Sequence, residues 1–505
     1  MAQVVIFTDI TQIAWFRTAG PYRLATSLRR QGYNTQVVEH FLWSAITNLN
    51  LVRDTIDKLV SSNTLVVGFS ITFFQASILK SESYKLKSLG FDINTDIIDE
   101  LGAVPLSRSV LENIRNWIRH KNPKTKIVIG GASRVKLNLT GTIFDAQVVG
   151  FADQAFPDYV RYLDGKNAFF QLGNGIIDHD AVASSLDVNT ATIEWTAQDL
   201  IVSGERLPIE ISRGCIFKCD FCAYALNGKK KLDYVKSVGV LEHELKRNYD
   251  KWGTTDYWFS DDTFNDTEEK VVAITSMLKR LPFKITYRAY LRLDLLSAHK
   301  YLVTPLVESG LTMAMFGVES LNRANTKLVG KGMSPERAIK FLNELWNDEG
   351  WDTKVLVLVC LIVGLPHDSK DNLAWLDTAL SDDFKADWIN LNPLYLTKNP
   401  SEINSSQFER EASKYGYQFT DSEWEWSNSN TGLTFNDCKR IVFETTRKPS
   451  SKNSTGTLHE MYKGMSKLSL NELCRSIGGK AEVPRYLFNQ RLRLMDDYFK
   501  RLKVI

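Results

Sequence analysis

Residues 211–224 read ISRGCIFKCDFCAY and follow directly on the apolar segment LPIE. The stretch places Cys215, Cys219 and Cys222 in a C-x-x-x-C-x-x-C spacing. Thiolates are soft ligands, suited to zinc, copper(I) or iron–sulfur clusters. A structural zinc takes four protein ligands, usually from two C-x-x-C knuckles, and no fourth Cys or His stands near this trio. A [4Fe–4S] cube has four irons, so three cysteines leave one iron open to another ligand. The loop begins where an apolar strand ends, and the carboxyl ends of parallel strands are where barrel folds place their active sites.

Working outward, strand-like segments recur at 207–212, 256–260, 285–290, 312–317, 354–362 and 387–391. Helical patterns such as VGVLEHELKRNYDKW and SPERAIKFLNELW lie between them. This alternation predicts a parallel (β/α)6 barrel of the TIM type over 207–395, open on one side because it has six units rather than eight. Upstream, QVVIFT, NTQVVEHF, TLVVGFSIT, KIVIGGA and DAQVVG are short, nearly continuous apolar runs separated by helical segments. Buried parallel strands have this pattern, so residues 1–165 are expected to form a doubly wound, Rossmann-like α/β domain. A polar stretch between Ile78 and Leu106 is longer than a crossover needs and reads as an insertion at the mouth of the sheet. Residues 166–206 read as an irregular connector, and 396–505 as a mainly helical domain covering the substrate site. In that last region KPSSKNSTGT reads as a flexible loop, and Trp424 and Trp426 as core or pocket residues. The tail from Pro484 spaces Phe488, Leu492, Met495, Phe499 and Leu502 at helical intervals, predicting a packed amphipathic helix with a solvated basic face.

Composition narrows the class without naming a substrate. A chain of 505 residues with 44% hydrophobic and 24% charged residues is a folded protein of more than one domain. A net charge of +3 gives no general basic field, so nucleic acid is not indicated. Asp9 interrupts the first apolar run, and the longest later one, VLVLVCLIVGLP, is well short of the roughly 20 residues that span a bilayer. A cytoplasmic protein with no membrane contact is the expectation. Cys360, Cys438 and Cys474 stand apart from the trio and read as buried, inert thiols.

The motif Cys215, Cys219, Phe221, Cys222 resembles the signature of the radical S-adenosylmethionine (radical SAM) superfamily, C-x-x-x-C-x-aromatic-C. That resemblance implies a [4Fe–4S] cluster whose open iron chelates the methionine part of SAM. It further implies reductive cleavage of SAM to a 5′-deoxyadenosyl radical that abstracts hydrogen from an unactivated carbon. Four later strand ends look like the family's SAM-binding elements. YWFSDDTF offers Asp261 or Asp262 for the SAM ammonium, and YRAYLRLD offers Arg292 for the carboxylate. FGVES supplies Glu319 and Ser320 for the ribose, and LIVGLP supplies Gly364, beside which backbone can approach the adenine. Phe221 would neighbour the bound adenosyl group.

Residues 3–165 resemble the cobalamin-binding domain that precedes the barrel in one radical SAM subclass. The resemblance rests on GPYRLATSLRRQGYNTQVVE and on strand ends that carry Ser70, Gly130 with Gly131, and Gly150, where loops would close over a corrin. Two departures stand out. The D-x-H-x-x-G of cobalt-ligating relatives reads DITQIA from Asp9, with Thr11 in the place of the histidine, and the acidic G-x-G-E is replaced by GFADQAF. Binding without a histidine ligand and a degenerate domain that has lost cobalamin both stay open. The methylthiotransferase branch carries three further N-terminal cysteines, whereas residues 1–214 contain none.

The expected activity is therefore cobalamin-dependent radical chemistry, with methyl transfer to an unactivated carbon preferred to rearrangement or cyclisation. The alternatives are a radical SAM enzyme that works without cobalamin and a non-catalytic iron–sulfur protein. A flavodoxin or ferredoxin is the implied reductant. The substrate is not legible, a small molecule or peptide being favoured.

Overall fold

The computed structural model describes residues 1–9, 17–70, 76–99, 104–131, 137, 139–167, 170, 172–173, 175–178, 187–202, 205–223, 232–399, 405–421, 424–446, 470–479 and 482–504. They fall into two compact units. The first comprises Met1–Leu186, Ala191–Pro208 and Glu460–Ile505, and the second Asp187–Thr190 and Ile209–His459.

The first unit is built on a six-stranded sheet of β1 (Val4–Phe7), β2 (Thr35–Val38), β3 (Val66–Ser70), β4 (Lys126–Gly130), β5 (Ala146–Val149) and β6 (Ile176–Asp178). Its order is β2-β1-β3-β4-β5-β6 and every pairing is parallel. Helices on both faces bury the strands, which is why VVIF and VVGFS are apolar throughout instead of alternating. On one face Phe7 stacks on Phe69 with centroids 5.4 Å apart; on the other Val4, Ile6, Val66 and Val128 pack against Phe156 and Tyr159. The order in which strands are added reverses at β1, which lies between β2 and β3. The crevice outside the carboxyl ends of β1 and β3 is the topological switch point, where open α/β sheets bind their ligands.

Two features of this unit differ from the sequence reading. The connector contains β6, a three-residue edge strand too short to show any periodicity. The stretch between Ile78 and Leu106 includes the end of a regular helix, Ala76–Ser88, and a short turn at Thr95–Ile97. The tail forms the helix Val483–Leu502, which buries Phe488, Met495, Phe499 and Leu502 as its spacing predicts. Leu492 is only half-buried, and Arg491 is inside instead. No helix among the described residues is long and apolar enough to cross a membrane.

The second unit carries β7 (Leu207–Glu210), β8 (Asp256–Ser260), β9 (Thr286–Leu291), β10 (Leu311–Glu319), β11 (Leu356–Val363) and β12 (Trp388–Pro393), with β7 beginning in the first unit. Each strand lies next to its sequence neighbour, and β7 and β12 are the two edges, so the sheet is an open parallel one. All six strands fall within a few residues of the predicted segments. Their outer faces are buried beneath helices, with Phe259 stacked on Tyr287 at 4.3 Å and Phe316 on Trp351 at 6.1 Å. Beyond the sheet, β13 (Tyr417–Phe419) and β14 (Trp426–Asn428) form an antiparallel hairpin that the sequence reading did not contain, followed by the helix Phe435–Thr446. Trp426 is buried in the core and Trp424 is half-buried. The loop KPSSKNSTGT lies outside the described residues.

Candidate functional site

The cysteine loop leaves β7 through Gly214, whose φ of +99° is open to glycine and strained for other residues. The Gly214 N–H donates to Asp262 Oδ2 at 3.1 Å, which ties the loop to the turn after β8. Cys215 is 7% exposed, while Cys219 and Cys222 are half-buried. The Phe217 N–H points at Cys215 Sγ at 3.4 Å, and Arg292 Nη1 donates to Cys219 Sγ at 3.7 Å. Such N–H groups aimed at sulfur are what thiolate ligands of an iron–sulfur cluster receive from their surroundings. The donor set therefore fits a [4Fe–4S] cluster held at three corners.

The two aspartates after β8 have separate jobs. Asp261 faces inward and is paired with Lys270 at 3.1 Å, in a buried cluster where Lys270 also meets Asp266 at 2.6 Å. Asp262 faces the cysteine loop; burial and the neighbouring Asp261 push its carboxyl up to about 7. Of the pair, Asp262 has the placement for a ligand ammonium. Arg292 follows β9, lies over the Phe217 ring at 4.0 Å, and is clamped by Asp294 at 2.7 Å and by the Gly330 carbonyl at 3.1 Å. Its guanidinium thus braces the loop as well as facing Cys219.

Glu319 ends β10 with φ +68°, a left-handed conformation that costs a non-glycine residue of order 1–3 kcal/mol. Its carboxylate pairs with Lys331 at 3.0 Å directly above Gly317, where an added Cβ would stand 2.4 Å from Glu319 Oε1. Burial works against the charged Lys331, but Glu319 and Cys219 outweigh it and hold the ammonium above its ordinary value. Lys331 Nζ also lies 5.7 Å from the Phe221 ring centroid. This lysine was missed by the sequence reading; its only signal is its place between two glycines in VGKG, both in left-handed turns. Ser320 is buried, and its Oγ accepts from the Asn322 N–H at 3.0 Å. Gly364, after β11, has φ +99°; its N–H is held by Asp368 and its carbonyl by Tyr417. A Cβ there would meet Cys438 Sγ at 2.7 Å and Trp426 at 2.8 Å, so packing already requires the glycine.

In the first unit, Ser70 and Gly130 end β3 and β4, Gly131 follows β4, and Gly150 follows β5. Gly131 and Gly150 take φ of +145° and +78°. Small residues thus stand at the carboxyl ends of three strands of this sheet. Asp9, after β1, is buried; its Oδ1 accepts from Arg491 at 2.8 Å and its Oδ2 from the Trp43 N–H at 3.1 Å. Thr11 lies outside the described residues.

Residues 209–377 match the radical SAM superfamily, and the domain they form belongs to it. Solved radical SAM enzymes are among the structures that this chain resembles over most of its length. TsrM, a radical S-adenosylmethionine methyltransferase from Kitasatospora setae solved with its tryptophan substrate and a SAM analogue, superposes with a TM-score of 0.56 at 12% identity, over 84% of this chain and 80% of that one. OxsB, a cobalamin-dependent S-adenosylmethionine radical enzyme, gives a TM-score of 0.52 at 15% identity, over 88% of this chain and 61% of that one. At such identities the likeness is one of fold: an open radical SAM sheet and a doubly wound sheet in one chain. An uncharacterised methyltransferase of Pyrococcus horikoshii is 28% identical over 128 residues, or 25% of this chain, and the match spans about a quarter of that protein's length (27%).

Proposed function

We propose that this protein is a cobalamin-dependent radical SAM enzyme. The cysteine loop would hold a [4Fe–4S] cluster, the mouth of the open sheet would bind SAM, and the carboxyl edge of the N-terminal sheet would hold the corrin. One observation carries the reading: groups after three further strands meet the cysteine loop, Asp262 at Gly214, Arg292 at Cys219, and the Glu319–Lys331 pair at Phe221. When bound, the cofactors supply a 5′-deoxyadenosyl radical for hydrogen abstraction and a methyl group for transfer. Asp262 would accept from the SAM ammonium, Lys331 and Arg292 would face its carboxylate, and Glu319 with Ser320 would lie by the ribose. Methyl transfer to carbon is the preferred outcome, supported by the methyltransferases among the similar proteins; cyclisation and rearrangement draw on the same chemistry. A flavodoxin- or ferredoxin-type reductant in the cytoplasm is part of this reading, as are the domains 1–165 and 207–395; the stretch 396–505 divides between the two units at His459.

A second reading keeps the radical chemistry and drops cobalamin. It is favoured by Asp9, which is engaged by Arg491 and Trp43 in a chain with no histidine at position 11. The two separate on a spectrum. The protein is purified without oxygen from cells grown with cobalamin, and its absorption is recorded. Corrin bands beside those of the cluster support the first reading, and cluster bands alone support the second.

A further inference from the structure

We infer that the lumen of the open sheet binds an uncharged, planar substrate through an amide group, recognised by the side chains of Asn390 and Asn392 on β12. The inference deepens the proposed function and rests on its assignment of the sheet mouth as the reaction site.

Strand register sorts the lumen into layers, because residues paired across parallel strands project from the same face. One layer runs Tyr290, Met315, Leu358, Trp388 across β9 to β12. Met315 and Leu358 pack with Met313 and Leu356, and Trp258 and Trp388 lie against them, which confirms the shared face. The next layer toward the carboxyl ends is Gly317, Cys360, Asn390, and above it Ile362 is paired with Asn392. The lower layer is an aromatic and thioether floor. Tyr290 is 40% exposed, unusual for a strand tyrosine in a parallel sheet, and Trp258 meets it edge-on at 6.5 Å. Flat faces and adaptable methionine thioethers suit a ring.

Asparagine is depleted in strands, yet β12 presents two on one face, spaced by two residues and so about 7 Å apart. Ile389, Leu391 and Pro393 on the opposite face are buried, whereas Trp388, Asn390 and Asn392 are half-buried. Packing gives the two carboxamides little employment. Among the described residues, Asn390 Nδ2 reaches only the Cys360 sulfur at 3.8 Å, and Asn392 has no protein hydrogen-bond partner. Each carboxamide offers two N–H donors and a carbonyl acceptor, the complement of an amide or lactam edge. Charged lumen groups are matched within the protein: Asp256 with Arg288, Glu210 with Arg213, and Glu319 with Lys331. Burial, reinforced by Glu319, pushes the Cys360 thiol up to about 12, so the side chain between Gly317 and Asn390 stays protonated. The ammonium beside this layer, Lys331 over Gly317, is already matched by Glu319, so a carboxylate or phosphate would lose its hydration without gaining an unmatched cation, whereas a neutral amide exchanges water for two carboxamides.

The test uses full-length protein with its cluster reconstituted and SAM present, and takes benzamide and benzoate as probes. Binding is followed by tryptophan fluorescence and ligand-observed NMR at the millimolar concentrations such fragments need. Benzamide is expected to bind at least roughly tenfold more tightly than benzoate. Asn390→Ala and Asn392→Ala should each weaken benzamide roughly three- to tenfold. Asn390→Asp, which keeps the volume and loses the donors, should do the same, with cluster content checking that each variant folds. Benzoate binding as well as benzamide, neither probe binding, or asparagine variants that bind benzamide like wild type would overturn the inference. Assaying 5′-deoxyadenosine on the same samples separates it from the cofactor reading: amide selectivity without SAM cleavage supports the subsite and defeats the proposed reaction.

Discussion

Glu319 concentrates the constraints on the barrel mouth. It is held in a left-handed conformation, over a glycine, against a lysine that also faces Phe221. Removing one member of a buried ion pair leaves the other uncompensated, at a cost of about 3–5 kcal/mol. Lys331→Met should therefore destabilise the protein by about 3 kcal/mol in urea unfolding, and adding Glu319→Gln should recover most of the loss; equal stability of the single and double variants would contradict the pairing. A different buried carboxyl sets a pH dependence in the first unit. Glu39 is buried with Oε1 unpartnered, and burial, reinforced by Asp9 and opposed by Arg17, pushes its carboxyl up to about 8. A raised carboxyl contributes stability that is complete below its unfolded value near 4.5 and lost as pH rises toward 8. Glu39→Gln should flatten the fall in stability between about pH 5 and 8, by up to about 3 kcal/mol at pH 7; an unchanged slope would show that Glu39 ionises normally. At this scale the cysteines were legible because spacing alone states their chemistry. Lys331 was not, since it lies in a loop after the helix Arg323–Leu328, where no periodicity marks it.

Strands were the elements most readable from the chain. Those of β10 and β11 are apolar nearly throughout because helices cover one face and a partly apolar lumen the other. Alternation in β12 carried further information, since Asn390 and Asn392 mark the lumen face once its register with β11 is known. Very short elements escaped: β6 and the β13–β14 hairpin have three residues per strand and are defined by pairing that no local pattern records. The hairpin also changes the account of Gly364, whose surroundings come from Tyr417, Trp426 and Cys438, at least 53 residues away. Gly364→Ala would force a Cβ into φ +99° and against two packed side chains. A loss of about 2–4 kcal/mol is expected, read as a lowered urea midpoint; a loss under about 0.5 kcal/mol would mean that the hairpin yields easily.

For the whole molecule, the order of sheets along the chain identified the class before any distance was known. A doubly wound sheet followed by an open parallel sheet gives a fold similar to those of TsrM and OxsB at 12–15% identity. What the chain could not disclose was its long-range closure. Arg491 reads as one more cation on a basic helix, and its partner Asp9 stands 482 residues earlier. The central claim is that the cysteine loop and the strand ends around it cleave SAM. Cluster-replete protein, prepared without oxygen, is mixed with SAM and a low-potential reductant, and 5′-deoxyadenosine is quantified by mass spectrometry against a Cys219→Ala control. The account predicts 5′-deoxyadenosine from wild type and none from the variant, and its absence from a cluster-replete wild-type sample would contradict it.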